Sequence, residues 1–264
     1  MNVVEVAHPQ DERLLDYRGL SDLAWRDRHE SAAGVFITEG VVAIRRLLVS
    51  AYVVRSLLVT RKALAALQPD LDGLSAPVYV VPNDVLRDTV GFDLHRGALA
   101  AVVRPPAIEA AALLDGPGAV AVLEGVNDHE NLGVVFRNAR AFGIAAVLLD
   151  DECPDPLYRR SVRVSMGHLL HVPFARIGAL PEGLAAVRAA GRPVVALTPA
   201  PDAQPVETLA GLDRPALLLG AEGPGLRPET LAAADLRVRI PIAADVDSLN
   251  VATAAAIAFH RLSG

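Results

Sequence analysis

The stretch Leu236–His260, LRVRIPIAADVDSLNVATAAAIAFH, passes from a strand through a polar turn into a helix. Leu236, Val238 and Ile240 alternate with Arg237 and Arg239, the period of a half-buried strand, and Pro241 removes a backbone donor where that strand should stop. Asp245, Asp247 or Ser248 is placed to cap the helix. From Val251 to Phe259 the chain is apolar and holds five alanines, which makes a helix that neighbours can approach closely and that must be buried. Ser248-Leu249-Asn250 at its start offers unpaired backbone N–H groups and two short polar side chains beside a strand end. In an open α/β sheet that is where ligands bind.

Working back from this stretch, the chain alternates strand and helix. Strands are expected at 119–123, 145–149, 171–174, 193–197 and 216–219, and helices at 130–142, 158–164, 184–190 and 228–234. Continuous apolar runs such as Val120-Ala121-Val122-Leu123 and Ala216-Leu217-Leu218-Leu219 mean a mostly parallel sheet covered on both faces. Earlier in the chain, 9–32 reads as helical, with Leu14, Leu15, Leu20, Leu23 and Trp25 among charges. Strands at 34–37, 54–59, 78–81 and 97–103 then alternate with helices at 40–49, 62–67 and 83–88, a small α/β sandwich. Between the two, RPPAIEAAALLDGPG (104–118) has prolines at one end and Gly-Pro-Gly at the other. The expected division is a domain over 1–104, a linker over 105–118 and a ligand-binding domain over 119–264.

Composition narrows the function. The 264 residues are 52% apolar, yet charges interrupt every long run, so no segment has the roughly 18 apolar residues needed to span a bilayer. The N-terminus, MNVVEVAHPQDE, lacks the pattern of a secretory signal. A single cysteine, Cys153, excludes an internal disulfide and a cysteine-rich zinc site, and a cytoplasmic protein without a metal or membrane partner is the plain reading. The net charge of −6 argues against coating nucleic acid by charge alone. Two windows are nevertheless free of acids: 40–69, with Arg45, Arg46, Arg55, Arg61 and Lys62, and 156–181, with Arg159, Arg160, Arg163 and Arg176. These are either solvated helix faces or local positive patches that hold a polyanion in particular places.

Two further constellations could carry chemistry. In Asn131-Leu132-Gly133-Val134-Val135-Phe136-Arg137 the apolar stripe Leu132, Val135, Phe136 is buried, and Gly133, one turn before Arg137, costs roughly 1 kcal/mol against alanine in a helix and so wants a reason. The missing side chain leaves a slot over which the Arg137 guanidinium could lie. Leu219-Gly220-Ala221-Glu222-Gly223-Pro224-Gly225 is a buried strand opening into a glycine-rich turn that is neither a phosphate loop nor the dinucleotide fingerprint. That absence also disfavours a nucleotide-dependent oxidoreductase. His168 and His171 have no third ligand cluster with them, Cys153 has no activating base, and Ser165 is not in a nucleophile elbow.

Taken in order, Asn-x-Gly-x-x-x-Arg, Leu-Gly-x-Glu-Gly-x-Gly and Ile-Pro-x(6)-Ser-Leu-Asn-Val resemble the three motifs of the SpoU-type (TrmH-like) RNA ribose 2′-O-methyltransferases of the SPOUT superfamily. The match spans 119–264, and the N-terminal part, including GFDLHRGALA at 91–100, is similar to the ribosomal-protein-like substrate-binding domain of many members. The resemblance implies a trefoil knot, bound S-adenosylmethionine, a homodimer built partly on the motif helices, and an RNA substrate, ribosomal RNA favoured over transfer RNA. It makes Arg137 the catalytic arginine with Asn131 its partner, Glu222 a shaper of the pocket, and Ser248 and Asn250 positioners of the arginine and the RNA backbone. Cofactor contacts are implied for Leu197, Thr198, Pro199, Ala200, Leu219, Gly220, Ala221, Glu222, Gly223, Ile240, Ile242, Ser248 and Leu249, largely through backbone groups. The basic residues Arg45, Arg46, Arg55, Arg61, Lys62, Arg159, Arg160 and Arg163 are the RNA-binding candidates. A non-catalytic RNA-binding or ribosome-assembly factor that keeps only the fold is the alternative.

Overall fold

The computed structural model describes residues 2–94 and 97–263, and within helix 23–33 the side chains of 23–27 lie outside the description. His95 and Arg96 of the GFDLHRGALA segment are therefore outside it, as is the expected contribution of Trp25. The first elements are β1 (Asn2–Glu5), α1 (Leu23–Ala33), β2 (Val35–Glu39), α2 (Val41–Leu48), β3 (Val54–Val59), α3 (Arg61–Leu67), β4 (Pro77–Val80), α4 (Asn83–Val90) and β5 (Ala98–Val103). There follow α5 (Ala110–Leu114), β6 (Val120–Glu124), α6 (His129–Ala141), β7 (Ala146–Leu149), α7 (Arg159–Val164), β8 (Phe174–Arg176) and α8 (Leu184–Ala189). The chain ends with β9 (Val194–Leu197), β10 (Gln204–Pro205), β11 (Ala216–Gly220), α9 (Pro228–Ala232), β12 (Leu236–Arg239) and α10 (Val251–Leu262).

The chain forms two compact units, one of residues 1–106 with 157–170, the other of residues 107–156 with 171–264. In the first, a five-stranded sheet runs in the order β1-β4-β3-β5-β2. Its β1, β4 and β3 are parallel and β5 pairs antiparallel to both β3 and β2. Tyr17 is fully buried beneath it, and its hydroxyl donates to the Ser56 carbonyl at 2.8 Å while accepting from the Ala101 N–H at 3.1 Å. The single helix expected over 9–32 is broken. A 3-10 turn at Glu12–Tyr17, capped by Asp11, precedes α1, and between them Gly19 at φ +59° turns the chain. The strand β1 carries too few buried positions for a sequence signal.

Residues 157–170 pack within this first unit. Glu39, at the end of β2, is nearly buried and receives Arg159 Nη1 at 2.8 Å on one oxygen and Arg163 Nη1 at 2.9 Å on the other. The Arg159 guanidinium also lies 4.7 Å above the Phe92 ring. Gly167 permits the approach to α2, since a Cβ there would stand 2.9 Å from the Ala43 Cα.

The second unit is a seven-stranded sheet, β10-β12-β9-β11-β6-β7-β8, parallel in every pairing. Its central strands are buried on both faces, which is why they read as unbroken apolar runs. On one face Val122, Leu148, Ala196 and Leu218 join Leu114 of α5 and Leu184 and Val187 of α8 in a single cluster. The other face is covered by α6 and α10, which pack on each other and on β7 and β11. Fully buried Phe136 and Phe259 supply the bulk of these two helices, and Asn138 Nδ2 donates to the Ala252 carbonyl at 2.9 Å, a hydrogen bond that the run of alanines brings within reach. The strand expected at 171–174 begins later, at Phe174. Residues 168–171 form a 3-10 turn, and Pro173, which has no N–H to give, offers its carbonyl to Val147 N before the ladder starts. Among the described residues no helix is long and apolar enough to cross a membrane.

Candidate functional site

The strands β9, β11 and β12 lie side by side and parallel, so their C-terminal ends open toward the same edge of the sheet. The segments that leave them enclose a cavity of about 320 Å³. Leu197, Thr198 and Pro199 line it from β9, Leu219, Gly220, Ala221, Glu222 and Gly223 from β11, and Ile240, Ile242, Ser248 and Leu249 from the segment after β12. Of the cofactor residues expected from the sequence, Ala200 is the one that does not line the cavity. Asp247, Pro224, Gly225, Leu226, Leu231, Val251 and Ala254 line it too, and sequence reasoning had not placed them there.

The glycine-rich segment forms as it does because β11 folds back on itself. The Gly225 N–H donates to the Ala221 carbonyl at 3.0 Å, and a Cβ on Gly220 would stand 2.3 Å from the Gly225 carbonyl carbon and the Leu226 nitrogen. No side chain fits there. Gly223 at φ +85° and Gly225 at φ +70° adopt the left-handed backbone that the reversal requires.

Three polar side chains meet beside this cavity. Asn131 lies in the first turn of α6, whose cap Asp128 accepts from the Glu130 and Asn131 N–H groups at 2.7 and 2.8 Å. Asn250 caps α10, its Oδ1 accepting from Ala252 N at 3.0 Å and Thr253 N at 3.1 Å. The cap is therefore neither Asp245, Asp247 nor Ser248: those residues stand further from the first helical N–H groups, and only the side chain immediately ahead of Val251 reaches them. With its oxygen committed to the cap, the Asn250 amide nitrogen donates to Asn131 Oδ1 at 2.8 Å and to Glu222 Oε1 at 2.5 Å. Glu222 Oε1 accepts from the Val251 N–H as well, at 3.3 Å. A carboxylate at the N-terminus of a twelve-residue helix is favoured by the unpaired N–H groups there.

Arg137 is placed differently. It is on the exposed face of α6, lines no part of the cavity and makes no hydrogen bond or ion pair among the described residues. It comes six positions after Asn131, so the two project about 120° apart around the helix. Ser248 is exposed at the cavity rim.

The RNA-binding candidates are mostly engaged within their own unit. Arg45 pairs with Asp70 at 2.8 Å, Arg55 with Asp16 at 3.2 Å and Arg61 with Glu5 at 2.9 Å. Arg46 donates to the Met166 carbonyl, and Arg159 and Arg163 hold Glu39. Lys62 and Arg160 are exposed.

A further group escaped sequence reasoning. Glu124, at the end of β6, is 3% exposed. Its Oε1 accepts from Arg227 Nε at 2.9 Å and Thr230 Oγ1 at 2.5 Å, and its Oε2 accepts from the Arg227 N–H at 2.8 Å. This ties Arg227, two residues past the glycine-rich turn, to the neighbouring strand end, and the Glu124 carboxylate raises the Arg227 pKa. Beside it, buried Asp150 accepts from the Gly125, Glu152 and Cys153 N–H groups at 3.0 to 3.1 Å. Burial, with the Asp150 charge adding to it, pushes the Cys153 thiol up to about 12, so it is an inert thiol at neutral pH. Among the described residues no group of three or more His, Cys, Asp or Glu could hold a metal ion.

Residues 118–260 match the SpoU rRNA Methylase family. An uncharacterized tRNA/rRNA methyltransferase of Mycobacterium tuberculosis is 46% identical over 264 residues, which cover 99% of this chain and 92% of the relative. The 23S rRNA (guanosine(2553)-2′-O)-methyltransferase of Bacillus subtilis is 28% identical over 98% of this chain and 99% of its own. The crystal structure of an AdoMet-bound rRNA methyltransferase from Sinorhizobium meliloti superimposes with a TM-score of 0.80, 26% identity and coverage of 98% of this chain and 97% of that one.

Proposed function

This chain belongs to the SpoU rRNA methylase family, and from that premise we propose that it transfers the methyl group of S-adenosylmethionine to a ribose 2′-hydroxyl of structured RNA, ribosomal RNA rather than transfer RNA. The observation that carries the reading is the meeting of Asn131, Glu222 and Asn250, one from each of three separate motifs, beside a cavity walled by the ends of β9, β11 and β12. The name of the Bacillus subtilis relative supports the 2′-O reaction on ribosomal RNA, and the AdoMet bound in the Sinorhizobium meliloti structure supports the cofactor.

The cavity suits that cofactor. Its volume of about 320 Å³ falls among small-molecule sites. Leu197, Leu219, Ile240, Ile242 and Leu249 give apolar walls for a purine, and the backbone of 219–223 gives its polar edges partners. The charged residues that line it are Glu222 and Asp247, both acidic, which fits a cationic sulfur. S-adenosylmethionine supplies an electrophilic methyl, and the protein's task is to orient the attacking hydroxyl and keep water away. Asn250 holds Glu222 at the cavity wall and ties it to Asn131 of α6. Arg137, whose guanidinium has only donors to offer, polarises the 2′-hydroxyl and anchors the neighbouring phosphate.

Arg137 stands away from the cavity of its own chain, and this supports a homodimer in which a second copy brings the arginine to the site. Residues 1–104 serve as the RNA-binding domain of a cytoplasmic enzyme, with Lys62 and the partly exposed arginines of the 40–69 window on the phosphates. A calorimetric titration with S-adenosylmethionine tests the reading. Saturable binding at about one site per chain, lost in Leu219→Trp, is the expected result. Absence of binding with or without RNA favours the non-catalytic RNA-binding factor.

A further inference from the structure

The two carboxylates that line the cavity, Glu222 and Asp247, are not equivalent. Glu222 accepts from Asn250 Nδ2 and from the Val251 N–H, so its charge is already met by two donors and by the positive end of α10. Asp247 lies exposed in the segment between Pro241 and Asn250 and makes no hydrogen bond or ion pair among the described residues. Among the described residues no Lys, Arg or His lines the cavity. An unpaired carboxylate on a wall to which this chain itself brings no cation favours a ligand that carries positive charge to it.

Resting on the function given above, we propose that Asp247 reads the sulfonium charge of S-adenosylmethionine and so makes the site prefer the methyl donor over its product, S-adenosylhomocysteine. The two ligands share the adenosine, the amino group and the carboxylate. They differ in one methyl group and in the unit charge on sulfur. A residue that holds the shared parts alters both affinities alike, whereas one that reads the charge alters their ratio. Loss of the charge on methyl transfer then weakens the grip on the product and helps it leave.

Titrating wild-type protein, Asp247→Asn and Asp245→Asn with each ligand, at low and high ionic strength, tests this. Asp245 is exposed two residues earlier and does not line the cavity, so its variant controls for general charge. Asp247→Asn should weaken S-adenosylmethionine about fivefold, the Coulomb attraction of unit charges about 4 Å apart in water-like surroundings. It should leave S-adenosylhomocysteine unchanged, and Asp245→Asn should alter neither. The wild-type preference should narrow as salt is raised. Because Asp247 makes no hydrogen bond, its isosteric variant should unfold at the wild-type temperature. An unaltered ratio in Asp247→Asn, or an equal loss for both ligands, overturns the proposal. A wild-type protein that binds neither ligand refutes the cofactor reading itself, and the proposal with it.

Discussion

The Asn250 amide nitrogen lies 2.5 Å from Glu222 Oε1 and its oxygen caps α10, so one side chain sets both the start of the last helix and the position of the carboxylate beside the cavity. The two roles can be separated. Asn250→Ala removes both, at a cost of about 1 kcal/mol for the cap alone. Asn250→Asp keeps an oxygen for the cap but sets a second carboxylate against Glu222, so that one of the pair resists ionisation. Binding of S-adenosylmethionine by Asn250→Asp should therefore be weak at neutral pH and recover as pH falls and that pair takes up a proton. Titration across pH checks this; a pH-independent loss would mean that the bridge to Glu222 does not matter.

Gly220→Ala should be among the most damaging small substitutions. Its Cβ would stand 2.3 Å from the backbone at 225 and 226, and backbone cannot yield as a side-chain tip can. A loss of roughly 1–3 kcal/mol is the usual cost of such overpacking, with cofactor binding lost as the turn opens. Gly143→Ala, at φ +70° with nothing within 4 Å of the added carbon, should show backbone strain alone and leave binding unaltered. Thermal unfolding with and without ligand separates the two.

Glu124→Ala leaves Arg227 and Thr230 without their shared acceptor. Breaking a buried ion pair costs about 3–5 kcal/mol, and because the Arg227 side chain is 41% exposed the low end applies. Glu124→Gln, which still accepts hydrogen bonds through one oxygen, should recover part of that loss. Denaturant unfolding of the two variants checks the order.

Cys153 is buried and its thiol is pushed up to about 12. The thiolate fraction stays low as pH rises from 7 to 9, and the native protein should react with a thiol reagent far more slowly than the urea-unfolded chain, in which the pKa returns to about 8.5. Rapid labelling of native protein at pH 8 would contradict this burial.

Arg137→Ala should leave folding and cofactor affinity at wild-type values, since the side chain touches neither the core nor the cavity, and should abolish methyl transfer. Mixing this variant with an Asn250→Ala chain offers a second reading. If the arginine acts across a dimer, hybrids regain a fraction of the activity that neither variant has alone.

Most of the architecture was legible because the signals were local. Runs such as Val120–Leu123 and Ala216–Leu219 announce strands buried on both faces, and the glycines of 220–225 announce a turn that side chains would obstruct. Of the thirteen residues that the family resemblance implied for the cofactor, twelve line one cavity, three of them, Leu197, Thr198 and Pro199, from outside the three motifs. The signals that failed were either too short or too distant. The strand β1 pairs through four residues and buries little. The helix expected over 9–32 holds apolar residues at helical spacing, but Gly19 divides it. Three polar residues ahead of α10 satisfied the rule for a cap, and only geometry selects Asn250. The clamp of Glu124 on Arg227 joins residues 103 apart, a pairing for which neither residue's surroundings carry a local signal.

The proposed reaction is transfer of a methyl group to the 2′-oxygen of ribose in RNA. The most direct test incubates wild-type protein and Arg137→Ala with ribosomal RNA and S-adenosylmethionine carrying a labelled methyl, digests the RNA to nucleosides and separates them by mass. Label is expected in a 2′-O-methylated nucleoside with wild-type protein and none with the variant. Label on a base, or equal incorporation by both proteins, would contradict it.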